Sequence, residues 1–189
     1  MSYVVAAVVL GIGIGYLRGG RLLALATAPV HWWPVLAAAV ALQVASLTID
    51  TTLGARLLLA SFALLIVFTA RNFTRAGMGI VLVGVAMNAL VIAVNSGMPV
   101  RKEAIIASGL AEADEIDELD FNAKWHLETD DDRLTFLADI IPVPGVGEVL
   151  SFGDLVMAVG VADVIVHLMR PAGALSRREL EETGSRGSG

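Results

Sequence analysis

The sequence feature that most constrains the fold is a series of five long runs of apolar residues. Hydrophobic residues make up 56% of the 189-residue chain, whereas a typical soluble domain has about 45–50%. A helix that crosses a bilayer needs about 20 predominantly apolar residues. The runs predict an all-α integral membrane protein with five transmembrane helices, at residues 3–20, 33–49, 53–70, 77–94 and 150–169.

The first run carries small residues at a regular spacing. Gly11, Gly15 and Gly19 recur at every fourth position and therefore share one helix face, a pattern that lets two helix backbones approach closely. The partner of this face is either another helix of the chain or a second copy in a homo-oligomer. We also expect the first helix to continue through Gly19 and Gly20 toward Leu25.

The distribution of arginine predicts the orientation in the membrane. Short cytoplasmic connections of membrane proteins are enriched in Lys and Arg, and here one set of helix ends carries Arg18, Arg71 and Arg75. We therefore expect a multi-pass protein of a bacterial plasma membrane, with its N-terminus outside and its C-terminus in the cytoplasm. Residues 1–175 are the single predicted membrane domain, and residues 176–189 are a predicted flexible cytoplasmic tail.

The connection between the fourth and fifth helices, residues 95–149, is predicted to be a long acidic extracytoplasmic loop. Its acidic run Glu112–Asp120 is typical of a solvated surface. His126 has no second histidine nearby, and the chain has no cysteine, so a zinc site is not expected. His126 remains a candidate ligand-binding residue. The expected partner is the lipid bilayer, with no metal, no cofactor and no nucleic acid.

Two of the predicted spans carry polar residues along one face. On the second helix these are Gln43, Ser46 and Asp50, and on the fourth they are Gly84, Asn88 and Asn95. Polar side chains within a bilayer are costly and usually face the bundle interior or a water-filled cavity. The two stripes predict an outward-facing polar cavity that binds a ligand. Hydrogen bonds that merely join the helices explain the same pattern equally well.

The stretch Leu137–Asp154 places one carboxylate near each of its ends, at Asp139 and Asp154. Ser151 is a candidate ligand-binding residue and also a plausible N-cap of the last helix. An acid in the first helical turn is favoured by the helix dipole. Capping alone therefore accounts for Asp154. If the segment Pro142–Gly147 folds back as a hairpin-like return, however, the two acids come close and form a candidate catalytic pair.

The last helix also contains Asp163 and His167, one helical turn apart. The spacing predicts a mutually satisfied buried pair rather than a proton relay. Asp163 and Asp154 lie on opposite sides of the helix, because nine residues correspond to about half a rotation beyond two full turns. The two pairs therefore cannot belong to one site.

Several short motifs together resemble an uncharacterised bacterial family of small polytopic membrane proteins, known only as a domain of unknown function. They are Asn95–Val100 (NSGMPV), His126, Leu137–Pro142 (LADIIP), Ser151–Asp154 (SFGD) and Gly160. The resemblance covers most of the chain and implies no activity.

A second, more limited resemblance is to lipoprotein signal peptidases, which are intramembrane aspartic peptidases. Leu137–Ile140 (LADI) is similar to their V-V-D-F motif, Leu150–Asp154 (LSFGD) is similar to F-N-x-A-D, and Asn88 matches their G-N-L. The resemblance implies that Asp139 and Asp154 are the catalytic pair. The chain departs from that family by an extra first helix, a very long fourth–fifth loop and a serine in place of the second motif's asparagine.

Three functions are consistent with these features. The first is a binding, sensing or assembly protein whose outer loop covers the polar cavity and holds a ligand or a partner. The second is an intramembrane hydrolase of the aspartic-peptidase kind that uses Asp139 and Asp154. The third is a small transporter or channel, for which the absence of an inverted helix repeat is unfavourable.

Overall fold

The computed structural model describes residues 2–27, 30–49, 52–116, 119 and 125–170. The described residues are mostly helical, with seven α-helices and four three-residue strands. In chain order the elements are α1 (Ser2–Leu17), α2 (Leu23–Ala26), α3 (Trp33–Thr48), α4 (Thr52–Arg71), α5 (Met78–Asn95), β1 (Met98–Val100), α6 (Lys102–Ser108), β2 (Trp125–Leu127), β3 (Ile141–Val143), β4 (Glu148–Leu150) and α7 (Phe152–Leu168).

Each of the five apolar runs forms a helix, so the predicted helical fold is confirmed. Within the described part of the chain, two helices are long and apolar enough to cross a membrane, over Leu53–Arg71 and Met78–Asn95. The other three are shorter: α1 and α3 have 16 residues and α7 has 17. At 1.5 Å per residue they span roughly 24–26 Å, close to the thickness of a bilayer core, about 30 Å.

The expected continuation of the first helix toward Leu25 is wrong. Helix α1 ends at Leu17, and Gly19 adopts a left-handed backbone conformation with φ of +77°. The N–H of Gly20 donates to the carbonyl oxygen of Gly15 at 2.9 Å, which closes the helix end. Glycine adopts this conformation without steric cost, so the chain turns here and the short helix α2 follows.

The five long helices pack side by side in the spatial order α1, α7, α5, α4, α3. Helix α1 runs parallel to α7, because Gly11 packs on Ala162 and Gly15 on Met169. Helices α5 and α7 are antiparallel, since Gly84 meets Gly153 and Gly160 meets Val81. The C-terminus of α5 and the N-terminus of α7 therefore lie at the same end of the bundle, which we call the loop end.

The small-residue face of α1 packs against α7 of the same chain. A Cβ atom added at Gly11 would lie 2.9 Å from the carbonyl oxygen of Ala162, and one added at Gly15 would collide with Met169. Gly19 has no atom of another element within 4 Å of such a position. Helix α7 of the same chain thus packs on the face at Gly11 and Gly15, which is the internal one of the two alternatives.

The segment between α5 and α7 is folded rather than an open loop. We call its described residues, 96–116, 119 and 125–151, the cap. Strands β1 and β2 pair in parallel, and β3 and β4 form an antiparallel hairpin. The cap has its own apolar cluster, which includes the buried side chains of Ile105 and Ile116. The predicted all-α architecture therefore holds for the bundle, whereas the cap contains two small sheets.

Candidate functional site

A partly enclosed cavity of about 180 Å³ lies at the loop end of the bundle. All five long helices contribute to its wall, and the cap contributes Met98 of β1 and Asp139, which lies two residues before β3. Its lining combines polar groups with a larger apolar wall. The polar lining residues are Tyr3, Gln43, Asn88, Asp139 and Asp154, and the apolar ones include Leu58, Phe62, Leu65 and Met157.

Asp154 is held in place by the start of helix α7. The hydroxyl oxygen of Ser151 accepts a hydrogen bond from the Asp154 N–H at 3.0 Å, and Oδ2 of Asp154 accepts one from the Ser151 N–H at 3.2 Å. This reciprocal arrangement is a capping box, which satisfies two N–H groups that a helix start leaves unpaired. Ser151 is therefore the N-cap of α7, as its position in the sequence predicts, and Asp154 is its capping-box partner.

Asn88 ties this helix start to α5. Its amide nitrogen donates to Oδ1 of Asp154 at 2.8 Å, and its amide oxygen accepts from the Ser151 hydroxyl at 2.9 Å. Asn88 is 3% exposed and Ser151 is fully buried. A closed network of this kind satisfies each buried polar group, which would otherwise cost about 1–3 kcal/mol. Its geometry depends on Gly153, since a Cβ atom there would collide with the Asn88 amide.

Asp139 reaches the same cavity from the cap. Its N–H donates to the Pro99 carbonyl at 3.1 Å, and its carbonyl accepts from the Arg101 N–H at 3.1 Å, so its backbone lies alongside β1. The hairpin that follows pairs Ile141 with Leu150. The hairpin brings the chain back toward the start of α7, as the sequence analysis required for the two acids to come close. Asp139 and Asp154 both line the cavity as a result.

Tyr3 is a cavity residue that the sequence analysis missed. It lies near the start of α1, and its side chain lines the cavity with its hydroxyl in hydrogen-bonding contact with the Asp154 carboxylate. The signal that could have found it is the small-residue face of α1. Once that face is packed on α7 in parallel, the start of α1 lies beside the start of α7.

Gln43 also lines the cavity, whereas the candidate residues Asn95, His126 and Ser151 are not among its lining residues. Asn95 instead exchanges two hydrogen bonds of 2.8 Å with the backbone of Arg133, and so anchors the cap to the end of α5. His126 lies in β2 and contacts Asp132 at 2.9 Å. Asp50 lies outside the described residues, as does the predicted tail at residues 176–189.

The contact of His126 with Asp132 is part of the internal structure of the cap. Burial raises the pKa of the Asp132 carboxyl, but hydrogen bonds from His126 and from the Thr129 N–H and hydroxyl outweigh this effect and hold the pKa below its usual value. A second pair, Arg101 with Glu128, joins the end of β1 to the segment after β2 through two hydrogen bonds of 2.9 and 3.2 Å.

The predicted pair on α7 forms, but it is not buried. Nδ1 of His167 lies 3.2 Å from Oδ1 of Asp163, and each side chain is about one third exposed. The expected burial is wrong because these two residues lie on the flank of α7 next to its exposed face at Val159, whereas Asp154 points inward.

The cavity has a distinct chemical character. Two carboxylates, a phenol and two amides line it, and no lysine or arginine is among its lining residues. Carboxylate oxygens only accept hydrogen bonds, so the cavity is suited to a group that donates hydrogen bonds or carries positive charge. Within the described residues, no set of three or more His, Asp or Glu side chains is arranged to hold a metal ion.

A comparison with models of known protein families shows which family the chain belongs to. Residues 26–166 match the model of DUF5317, described as a family of unknown function. The chain belongs to this family. The predicted membership of a family of unknown function is therefore confirmed. No curated protein and no solved structure matches the chain, so the resemblance to lipoprotein signal peptidases stays a hypothesis.

The match covers most of the cavity. Gln43, Asn88, Asp139 and Asp154 lie within the range that defines DUF5317. Tyr3 lies before that range, although it contacts Asp154. The cavity of this DUF5317 protein is therefore built mainly from the family's own segment and is completed by the helix that precedes it.

Proposed function

We propose that the chain is a five-span membrane protein with its cap on the outer side. The apolar exterior of the bundle supports this topology. Every one of the five long helices turns large apolar side chains outward, at exposures from 40% to 88%, and examples are Leu17, Val44, Leu53, Val83 and Val159. A bundle that is apolar around its outside suits a lipid environment. The arginines near the end opposite the cap support the orientation.

We propose that this protein binds a small ligand in the loop-end cavity. The observation that carries the proposal is that Asp139 from the cap and Asp154 from the bundle line one cavity together with Tyr3 and Gln43. A partly enclosed site with an apolar wall and a few convergent polar groups is the usual form of a ligand pocket. The ligand presents a hydrogen-bond donor or a cationic group to the carboxylates.

The proposal predicts that a small molecule stays bound when the protein is extracted from its membrane into a mild non-ionic detergent. Native mass spectrometry should detect it on the wild type. We expect Asp139→Asn to lower its occupancy because one buried carboxylate acceptor is lost, which weakens binding by about tenfold or more. Asp131→Asn, which changes an exposed acid of the cap, is the matched control and should leave the occupancy unchanged. Equal occupancy in both variants would contradict the proposal.

A second candidate is an aspartic-type hydrolase, favoured by the same convergence of Asp139 and Asp154. Two nearby carboxylates that share a proton can activate water and protonate a carbonyl oxygen. Binding is the better supported function, because both oxygens of Asp154 already accept hydrogen bonds from Ser151 and Asn88. Comparison of peptide termini in membranes that contain the wild type, Asp139→Asn or Asp154→Asn tests the hydrolase. It predicts cleavage products that both variants lose, and unchanged profiles would exclude it.

A further inference from the structure

The row of five helices does not close into a ring. Each neighbouring pair in the order α1, α7, α5, α4, α3 packs closely, whereas the two end helices, α1 and α3, make little or no direct contact among the described residues. Both end helices nevertheless line the cavity, α1 through Tyr3 and Val4 and α3 through Gln43 and Leu47. The cavity therefore lies at the gap between α1 and α3, on the side of the bundle.

The residues around this gap are apolar and accessible. Leu47 lines the cavity and is 42% exposed, so it lies at the mouth of the opening. Val5 of α1, which follows the lining residue Val4, is also exposed. An opening with an apolar rim on the side of a membrane bundle faces lipid rather than water.

The interior of the cavity differs from its rim. Its carboxylates, Asp139 and Asp154, lie at the loop end, and the apolar side chains of Leu58, Phe62 and Leu65 form the wall below them. A volume of about 180 Å³ corresponds to roughly six water molecules at about 30 Å³ each. This space holds a head group and the first atoms of a chain, so a longer chain has to leave through the gap.

We propose that the ligand is a membrane amphiphile with an amine head group, which enters sideways from the bilayer between α1 and α3. The amine lies against Asp139 and Asp154, and the hydrocarbon chain extends past Leu47 into the lipid. This inference rests on the proposed binding function, and it specifies the class of ligand and the route of entry.

The test uses the full-length protein in a non-ionic maltoside detergent, with thermal unfolding as the readout, because a ligand that binds the folded state stabilises it. The probes are dodecylamine, dodecanoate with a similar chain and an anionic head, and ethylamine with no long chain. The mouth is blocked in Leu47→Trp. The matched control Val44→Trp makes the substitution one turn earlier, at an exposed position that does not line the cavity.

We expect dodecylamine to stabilise the wild type and Val44→Trp equally, and to bind Leu47→Trp about tenfold or more weakly. Dodecanoate and ethylamine should have little effect. Equal stabilisation by ethylamine, or an unchanged response of Leu47→Trp, would overturn lateral entry while the binding function stands. Equal stabilisation by dodecanoate would overturn the amine assignment. If no probe stabilises any variant, the amphiphile is excluded, and a retained molecule detected by native mass spectrometry shows whether the binding function survives.

Discussion

Gly84→Ala is expected to destabilise the protein severely, because it forces apart the two helices that carry the site. A Cβ atom at Gly84 would lie 2.6 Å from the Gly153 carbonyl oxygen and 2.6 Å from the Met157 N–H nitrogen. Both contacts are with backbone, which cannot rotate away as a side chain can. Overpacking of this kind costs about 1–3 kcal/mol and sometimes more. Denaturant titration in detergent micelles measures the change in the free energy of unfolding.

Gly13→Ala is the matched control for this prediction. It makes the same substitution in the middle of a helix, at a position where an added Cβ has no atom of another element within 4 Å. We expect it to be neutral or to stabilise the protein by up to about 1 kcal/mol, since alanine favours helix more than glycine does. If Gly84→Ala and Gly13→Ala had the same effect, the close packing of α5 on α7 would be refuted.

Asn88→Ala is expected to have the second large effect, on both stability and the site. It removes the donor to Oδ1 of Asp154 and the acceptor of the Ser151 hydroxyl. Each buried polar group that loses its partner costs about 1–3 kcal/mol. We therefore expect a lower unfolding free energy and, because Asp154 is no longer held at the cavity wall, a lower occupancy of the bound molecule in native mass spectrometry.

Asn95→Ala gives the comparison on the same helix. Asn95 also makes two hydrogen bonds, but these are with the exposed backbone of Arg133, and water can replace them. The expected loss of stability is about 0.5–1.5 kcal/mol, with the occupancy of the cavity unchanged. A neutral Asn88→Ala, or a larger effect for Asn95→Ala, would show that the buried network does not hold the site together.

The helices of the bundle could be predicted from the sequence because each is a long apolar run, and such a run determines helix regardless of its neighbours. The predicted first helix was too long only because Gly19 reverses the backbone. The capping box at Ser151 and Asp154 was also visible, since its residue types and spacing are local signals. These features depend on interactions within a few residues of one another.

The rest of the site depends on contacts between distant segments. Strands of three residues, such as β1 and β3, have too short a pattern to be distinguished from loop. Asn88 and Asn95 share a helix face, yet only Asn88 contacts α7. Asn95 lies at the end of α5, where the cap residue Arg133 is its partner. Tyr3 carries no signal of its own, and its place beside Asp154 follows only from the packing of α1 on α7.

Cysteine labelling in intact cells tests whether the cap and its cavity lie on the outer side of a five-span bundle. The chain has no cysteine of its own, so single substitutions give no background. Val146→Cys probes the tip of the β3–β4 hairpin, where the side chain is 54% exposed. Arg21→Cys and Thr74→Cys probe exposed positions in the connections at the opposite end.

A membrane-impermeant maleimide should label Val146→Cys in intact cells. It should label Arg21→Cys and Thr74→Cys only after the membrane is permeabilised, and all three equally in denaturant. Labelling of Thr74→Cys and Val146→Cys from the same side would mean that α5 does not cross the membrane. Labelling of Arg21→Cys from outside would mean that the first helix does not cross the membrane from the outside to the cytoplasm. Either result would contradict the five-span account.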